Sequence, residues 1–293
     1  MPISSIIFSK NRPLQLDLCL RSLPNLDMDY VPTVIYDCDE EYNEAYETLK
    51  QEHEGVEFWK QGKSLFRDVL NRIVTSNCDW TFFLTDDCIV YQKTAILSDV
   101  VLAEIFKDPL ASSFSLRLGL NTNKRAYLLG DNKIKMIDDP LRRFEWQVVY
   151  RNNRGMVCYD RTQHLYGGYW NYPFSVDGHI YRTKDLLGWV DEVCYIEPIK
   201  KWKQTPNEFE RSLQRFVQEL PPFVIMNESS SVVNSPNNRV QDTITNINGH
   251  DFAFNAKDLL KMYNTGHRIS PEKIDFSEVF CAHMELNILE GLE

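Results

Sequence analysis

The feature that most constrains the fold is a regular alternation of strand and helix patterns in residues 4–91. Four runs rich in strand-forming side chains are separated by segments whose apolar residues repeat at helical spacing. The strand runs are 4–9, 32–39, 56–61 and 80–91, and the helical segments are 13–23, 40–53 and 64–77. This order predicts an α/β fold with a mostly parallel sheet flanked by helices.

The fourth strand pattern runs into two adjacent carboxylates. Strand-forming residues 80–84 precede Asp86 and Asp87, and Ile89 and Val90 follow them. Two unpaired carboxylates at the end of a buried strand repel each other and resist desolvation. We therefore expect a positive group between them. A helix cap or a surface turn is the alternative.

Polar residues also follow the first and second strands, as "SKNRP" from Ser9 and "DCDEE" from Asp37. Ligands of parallel α/β sheets bind in a crevice outside the carboxyl ends of the strands. The polar ends of these strands therefore predict one shared crevice.

Composition limits what such a crevice binds. Asp and Glu number 42 against 32 Lys and Arg, a net charge of −10, which argues against a nucleic-acid partner. The seven cysteines form no C-x-x-C pair, which favours a reducing compartment over a zinc site or a disulfide framework. Without a signal-peptide pattern or an 18-residue apolar run, we predict a cytoplasmic protein with no transmembrane segment. A peripheral position at the inner membrane surface is the alternative.

The first strand with "SKNRP", the acids after the second strand and "FFLTDDC" from residue 82 resemble GT-A fold glycosyltransferases of the family 2 type. The resemblance is clearest over about the first 100 residues. It implies a nucleoside-diphosphate sugar donor and a divalent cation, Mn²⁺ or Mg²⁺, held by a D-x-D motif. Thr85 replaces the first acid here, so the resemblance gives Asp87 the metal position and Asp86 a contact to ribose or sugar.

Further site residues follow from the same resemblance. The loop after the first strand, with Ser9, Lys10, Asn11 and Arg12, would meet the base and phosphates. Asp37 and Asp39, after the second strand, would meet uracil or ribose. The helix with Arg67 and Asp68 would face the nucleotide, the late loop with Arg239 would close on the diphosphate, and His283 would add a metal ligand.

The resemblance also implies catalytic carboxylates. "YPFSVDGHIYR" is similar to the segment that passes beneath the donor sugar, where Asp177 would point at the sugar and Gly178 allows close backbone approach. "TPNEFE" begins a helix, and Glu210 is the first candidate for the base that takes a proton from the acceptor, with Asp177 second. Aromatic side chains that would stack on acceptor sugars are Trp146, Tyr169, Trp170, Tyr172 and Trp202.

These residues predict a metal-assisted glycosyltransferase acting on a glycan or lipid-linked acceptor. UDP is the first choice of donor nucleotide, with GDP or dTDP as alternatives. Residues 1–110 would bind the nucleotide sugar and 111–293 the acceptor, within one domain. A sugar-nucleotide nucleotidyltransferase is a second possibility, although "SIIFSKNRPLQL" lacks the glycine-rich phosphate loop. A non-catalytic carbohydrate-binding protein on the same scaffold is the third.

Overall fold

A computed structural model describes residues 3–94, 98–128, 134–138, 148–151, 155–163, 168–172, 174–216, 219–240, 252 and 254–293. The strands are β1 Ile3–Lys10, β2 Tyr30–Asp37, β3 Glu57–Lys60, β4 Trp80–Thr85, β5 Cys88–Val90, β6 Ala111–Ser115, β7 Lys124–Leu128, β8 Ile134–Asp138, β9 Val148–Arg151, β10 Met156–Asp160, β11 His179–Arg182, β12 Phe223–Asn227 and β13 Val232–Asn234. The helices are α1 Pro13–Ser22, α2 Asn43–Glu52, α3 Leu65–Ser76, α4 Asp99–Ile105, α5 Thr183–Lys200, α6 Pro206–Leu213 and α7 Ala256–Asn264.

A nine-stranded sheet forms the centre of the molecule, in the order β3-β2-β1-β4-β11-β6-β12-β10-β9. Strands β3, β2, β1 and β4 are parallel, while β11 runs antiparallel to both of its neighbours, β4 and β6. The predicted α/β class is confirmed, and the predicted parallel order of the first four strands is the one observed. Beyond β4 the sheet is mixed and uses strands from the second half of the chain.

Helices cover both faces of this sheet. Side chains of β1 alternate between two cores: Ile7 packs with α1, α2 and α7, whereas Ile6 and Phe8 pack with α3, α5 and α6. Each fully buried aliphatic side chain of this kind contributes about 1.5–3 kcal/mol to the hydrophobic stabilisation. Burial on both faces explains why the apolar run at residues 6–8 of β1 does not alternate with polar residues.

Two helices are capped at their first turns by a side-chain hydroxyl group. The Ser64 hydroxyl accepts a hydrogen bond from the Arg67 amide at the start of α3. The Thr205 hydroxyl accepts one from the Glu208 amide at the start of α6. These contacts satisfy amides that have no partner within a helix, so they fix where each helix begins.

One local prediction was wrong. The single strand predicted over 80–91 is split, because Asp86 and Asp87 form a turn between β4 and β5, and β5 pairs with β13 instead of the central sheet. The helix α5, which begins right after β11, was not predicted. Leu186, Val190 and Val193 bury one face of α5, a period-3.6 signal that the surrounding apolar residues obscure.

Within the part of the chain that the structure describes, no helix combines the length and the apolar character needed to cross a membrane.

Candidate active site

A cavity of about 510 Å³ lies at the carboxyl ends of β1, β2 and β4. Its position is the one that parallel strand ends predict. Residues 168–172, the start of α6 and the segment 234–240 enclose its other sides. Of the predicted site residues, those lining it are Ser9, Lys10, Arg12, Asp37, Asp86, Asp87, Asp177, Glu210 and His283.

The adjacent carboxylates have a positive group between them, and that group is Arg12. Its Nη1 donates to Asp86 Oδ1 at 2.9 Å and to Asp87 Oδ2 at 2.8 Å. Burial alone would lower the pKa of Arg12, but the two carboxylates raise it above its ordinary value. Arg12 is also held from behind, because its Nε donates to Asn238 Oδ1 at 2.7 Å.

One guanidinium does not fully neutralise two carboxylates. Burial raises the pKa of Asp86 to about 6; Arg12 opposes this shift, and the charge of Asp87 adds to it. The other oxygens are oriented by neutral donors: the Lys10 amide donates to Asp86 Oδ2, and Thr85 Oγ1 donates to Asp87 Oδ1. With both acids ionised, the group formed by Arg12, Asp86 and Asp87 therefore carries a net negative charge.

Asp177 belongs to a second charged group in the same cavity. It accepts hydrogen bonds from Arg117 Nη1 at 3.0 Å and Thr85 Oγ1 at 2.8 Å, and His283 Nε2 lies 3.2 Å from Oδ2. Burial would raise the pKa of Asp177, but the contacts with His283, Arg117 and Thr85 outweigh it and lower that pKa. Asp177 therefore stays ionised at neutral pH, which makes it a weak base.

Glu210 lies in α6 and points into the cavity. Its Oε1 accepts from the Val176 amide at 3.0 Å, and its Oε2 accepts from the Tyr172 hydroxyl at 3.2 Å. Burial raises the pKa of Glu210 to about 7, and the nearby charge of Asp177 adds to the effect. A carboxyl group with this pKa accepts a proton efficiently near neutral pH. The other acid of the first turns, Glu208, instead pairs with Arg211.

At the β1 and β2 ends, the polar residues pair with each other. Lys10 Nζ lies 2.6 Å from Asp37 Oδ2, with both side chains about two-fifths exposed. Asn11 and Asp39 exchange two hydrogen bonds, at 2.7 and 2.9 Å, beside the cavity. Lys10 and Asp37 are thus available to a ligand, whereas Asn11 and Asp39 join the two loops.

Five predicted site residues do not line the cavity: Asn11 and Asp39, which lie beside it, and Arg67, Asp68 and Arg239. Arg67 is exposed, because α3 buries its other face in the core. Asp68 accepts a hydrogen bond from the Gly62 amide at 2.7 Å. Arg239 is exposed, while its neighbour Val240 lines the cavity. Spacing along a helix or loop did not reveal which side faces the site.

Arg117 and Asn234 line the cavity although sequence reasoning missed them. A usable signal existed for Arg117, since a lone arginine between Leu116 and Leu118 in an apolar run needs a buried partner. Asn234 offers no such signal, because a neutral amide in a polar loop has many ordinary explanations.

Only some of the aromatic side chains predicted to stack on acceptor sugars line the cavity. Tyr169 and Tyr172 line the cavity, and the Tyr169 ring stacks on His283 with 5.0 Å between ring centroids. Trp170 is buried in a core, and Trp202 packs against Phe66. Trp146 lies outside the described residues.

The donor set near Asp87 fits the implied divalent cation in chemistry and charge. Mn²⁺ and Mg²⁺ favour carboxylate oxygen, and the group around Arg12 lacks positive charge. Among the described residues, the only three His, Cys, Asp or Glu side chains whose ligand atoms all lie within 4.8 Å of one another are Asp17, Glu52 and His53. In that cluster Arg21 already pairs with Asp17, and Arg268 pairs with Glu52. A cation at Asp87 would therefore have few protein ligands, and phosphate and water would complete its shell.

No protein-family model matches the chain. The chain is similar to the bifunctional glycosyltransferase pgtA of Dictyostelium discoideum, with 25% identity over 292 residues. The match covers 92% of this chain but 36% of the relative, so the chain spans about a third of that protein's length. This similarity to a glycosyltransferase confirms the resemblance seen in the sequence motifs.

Two of the solved structures similar to this chain are of TarS from S. aureus. The first has a TM-score of 0.44 and 11% identity, and covers 79% of this chain and 36% of that one. The second, TarS 1–349 in complex with UDP, has a TM-score of 0.42 and 11% identity, and the match covers 79% of this chain and 59% of the TarS chain.

Proposed function

We propose that the chain transfers a sugar from a nucleoside-diphosphate sugar to a hydroxyl group of a glycan or glycolipid acceptor. The observation that carries this proposal is the arrangement of one cavity: cationic and acidic side chains at the strand ends, and a carboxyl group with a pKa of about 7 across from them. The similarity to a glycosyltransferase along most of the chain supports it.

The donor would lie along the ends of β1, β2 and β4. Lys10 and Arg12 provide cationic donors for phosphate oxygens, and Asp37 provides an acceptor for the base or ribose. We propose UDP as the nucleotide, with GDP or dTDP as alternatives. Asp87 would hold Mn²⁺ or Mg²⁺, with His283 as the second candidate ligand, and such a cation stabilises the charge of a diphosphate leaving group.

Glu210 would act as the general base. The acceptor oxygen forms a bond to the anomeric carbon, the bond from that carbon to the diphosphate oxygen breaks, and Glu210 takes the acceptor proton. The Tyr172 hydroxyl and the Val176 amide orient the carboxylate for this transfer. Asp177 stays ionised and orients the sugar. This assignment corresponds to an inverting reaction.

Thermal shift with UDP-, GDP-, dTDP- and CMP-linked sugars, each with and without Mn²⁺, tests the donor. A ligand that binds only the folded state raises the melting temperature by mass action. We expect a shift with one nucleotide class that Mn²⁺ increases, followed by release of the nucleoside diphosphate when acceptor is added. Absence of a shift with every nucleotide would contradict the transferase and favour a carbohydrate-binding protein.

A further inference from the structure

Asn234 occupies a junction between three parts of the molecule. It ends β13, which pairs antiparallel with β5 directly after the turn that carries Asp87. It also forms an isolated parallel bridge with His283 near the end of the chain. Its side chain lines the cavity, yet the residue is only 5% exposed.

The side chain of Asn234 orients the acidic turn. Its Nδ2 donates to Asp87 Oδ1 at 2.7 Å and to Thr85 Oγ1 at 3.0 Å. The next residue adds a main-chain contact, because the Ser235 amide donates to the Asp87 carbonyl oxygen at 2.7 Å. The carboxylate of Asp87 and its backbone are thus both fixed by this short segment.

The main chain of Asn234 places His283. Its amide donates to the Ala282 carbonyl oxygen at 3.0 Å, and its own carbonyl oxygen accepts from the Met284 amide at 2.9 Å. The two bonds enclose His283, whose ring then reaches Asp177. A single residue therefore sets the position of Asp87 through its side chain and of His283 through its backbone.

We propose that Asn234 is a positioning residue for donor binding, holding Asp87 and His283 in register on the two sides of the diphosphate site. This inference rests on the proposed function. It adds a residue of the late loop from which the sequence predicted only Arg239.

The chemistry of the amide suits this role. A lysine or arginine at position 234 would orient Asp87 equally well but would cancel the negative charge that a cation needs. An amide orients the carboxylate by donating a hydrogen bond and leaves its charge in place. Water cannot readily substitute, because the Asp87 side chain is only 11% exposed.

The test compares UDP binding, measured by isothermal titration calorimetry at a series of Mn²⁺ concentrations, in wild-type protein, Asn234→Ala and Asn234→Asp. Removing a group that orients a metal ligand typically costs 10- to 100-fold in affinity. We expect UDP affinity to fall about 10-fold or more in Asn234→Ala. Asn234→Asp keeps the shape but places a carboxylate against Asp87, so we expect its UDP binding to need a higher Mn²⁺ concentration.

Asn237→Ala is the matched control. Asn237 is a buried asparagine in the same loop, but its side chain bonds to the Ser235 hydroxyl and the Leu286 carbonyl oxygen, at 2.9 and 2.8 Å, and not to Asp87 or Thr85. We expect this variant to lose thermal stability while UDP affinity stays within about twofold of wild type.

The outcomes separate the inference from its premise. If wild-type protein binds UDP and both Asn234 variants bind it equally well at the same Mn²⁺ concentration, Asn234 is only structural and the inference is overturned. If wild-type protein binds no nucleotide of the panel, the proposed function itself fails. Should Asn234→Ala not fold, the Mn²⁺ dependence of the isosteric Asn234→Asp still decides.

Discussion

Two arginine–carboxylate groups share the cavity, and they differ in charge balance. The Arg12 group contains one guanidinium and two carboxylates, Asp86 and Asp87. The Arg117 group contains one guanidinium and one carboxylate, Asp177, with His283 beside it. In the first group burial raises the pKa of Asp86 despite Arg12, whereas in the second the contacts with His283, Arg117 and Thr85 outweigh burial and lower the pKa of Asp177. An incompletely neutralised group suits the binding of a cation, and a balanced group suits a fixed orientation.

The two groups also differ in what supports them. Arg12 is held by Asn238, a residue of the segment that encloses the cavity. Arg117 lies over the Tyr169 ring, 5.4 Å from its centroid, and its side chain is only 3% exposed. A substitution in the Arg117 group is therefore expected to affect folding most, whereas one in the Arg12 group is expected to affect binding most.

The largest expected effect is that of Arg117→Met on stability. Removing one partner of a buried ion pair leaves an uncompensated charge and costs about 3–5 kcal/mol. Chemical denaturation measures the free energy of unfolding, with the exposed Arg67→Met as control, for which we expect a change within about 0.5 kcal/mol. Equal losses in the two variants would show that the Arg117–Asp177 pair is not a structural element.

Asp87→Asn is expected to act on function instead. It preserves the shape of the side chain but removes the charge that would hold the proposed cation, so we expect turnover to fall about 100- to 1,000-fold. The stimulation of nucleotide binding by Mn²⁺ should disappear in the same variant. Asp68→Asn, outside the cavity, is the control and should retain both. An Asp87→Asn variant with normal Mn²⁺ stimulation would place the cation elsewhere.

The pH dependence of turnover tests how the Arg117 group influences Glu210. With a pKa of about 7, Glu210 becomes protonated as the pH falls, so kcat should decrease below about pH 7. The negative charge of Asp177 contributes to that raised pKa, so Asp177→Asn should move the acidic limb of the profile to lower pH by about 1 unit. An unchanged limb would remove Glu210 as the titrating base.

The smallest expected effect is on the pH dependence of the free energy of unfolding. Because the pKa of Asp86 is raised from 3.8 to about 6 by folding, the folded state binds its proton more tightly. Its stabilising contribution is complete below about pH 4 and is lost as the pH rises through 6, at no more than about 1.4 kcal/mol per pH unit. Asp86→Asn should flatten this part of the stability curve. An unchanged curve in the variant would mean that folding does not shift the pKa of Asp86.

Asp177 responds in the opposite direction. Its pKa is lowered by folding, so its contribution is present above the unfolded value of 3.8 and is lost on further acidification. Asp86 thus lowers the stability as the pH rises through 6, whereas Asp177 lowers it as the pH falls below 3.8. Melting curves recorded over a pH series separate the two effects.

Local patterns predicted the first half of the sheet well, because each of β1 to β4 and α1 to α3 carries its own periodicity. The strand-end rule then placed Lys10, Arg12, Asp37, Asp86 and Asp87 at one cavity. The helix α5 was missed because it shows little contrast between an apolar and a polar face. The turn at Asp86 was missed because it depends on pairing between β5 and β13, which are far apart in the chain.

The rest of the site depends on such long-range contacts. Arg117, Asn234 and His283 meet Asp177 and Asp87 only when the sheet is assembled, and no local pattern encodes their separation. Glu210, the first candidate base from the sequence, contacts Tyr172 and Val176, whereas Glu208 of the same helix pairs with Arg211.

The hydroxyl of Thr85 faces two carboxylates, Asp87 Oδ1 at 2.7 Å and Asp177 Oδ1 at 2.8 Å. A hydroxyl carries one hydrogen, so at any moment it satisfies only one of the two acids fully. A ligand that takes over one carboxylate releases that hydrogen to the other. The two charged groups therefore compete for one hydrogen bond from Thr85, so a ligand bound at one group changes the hydrogen bonding of the other.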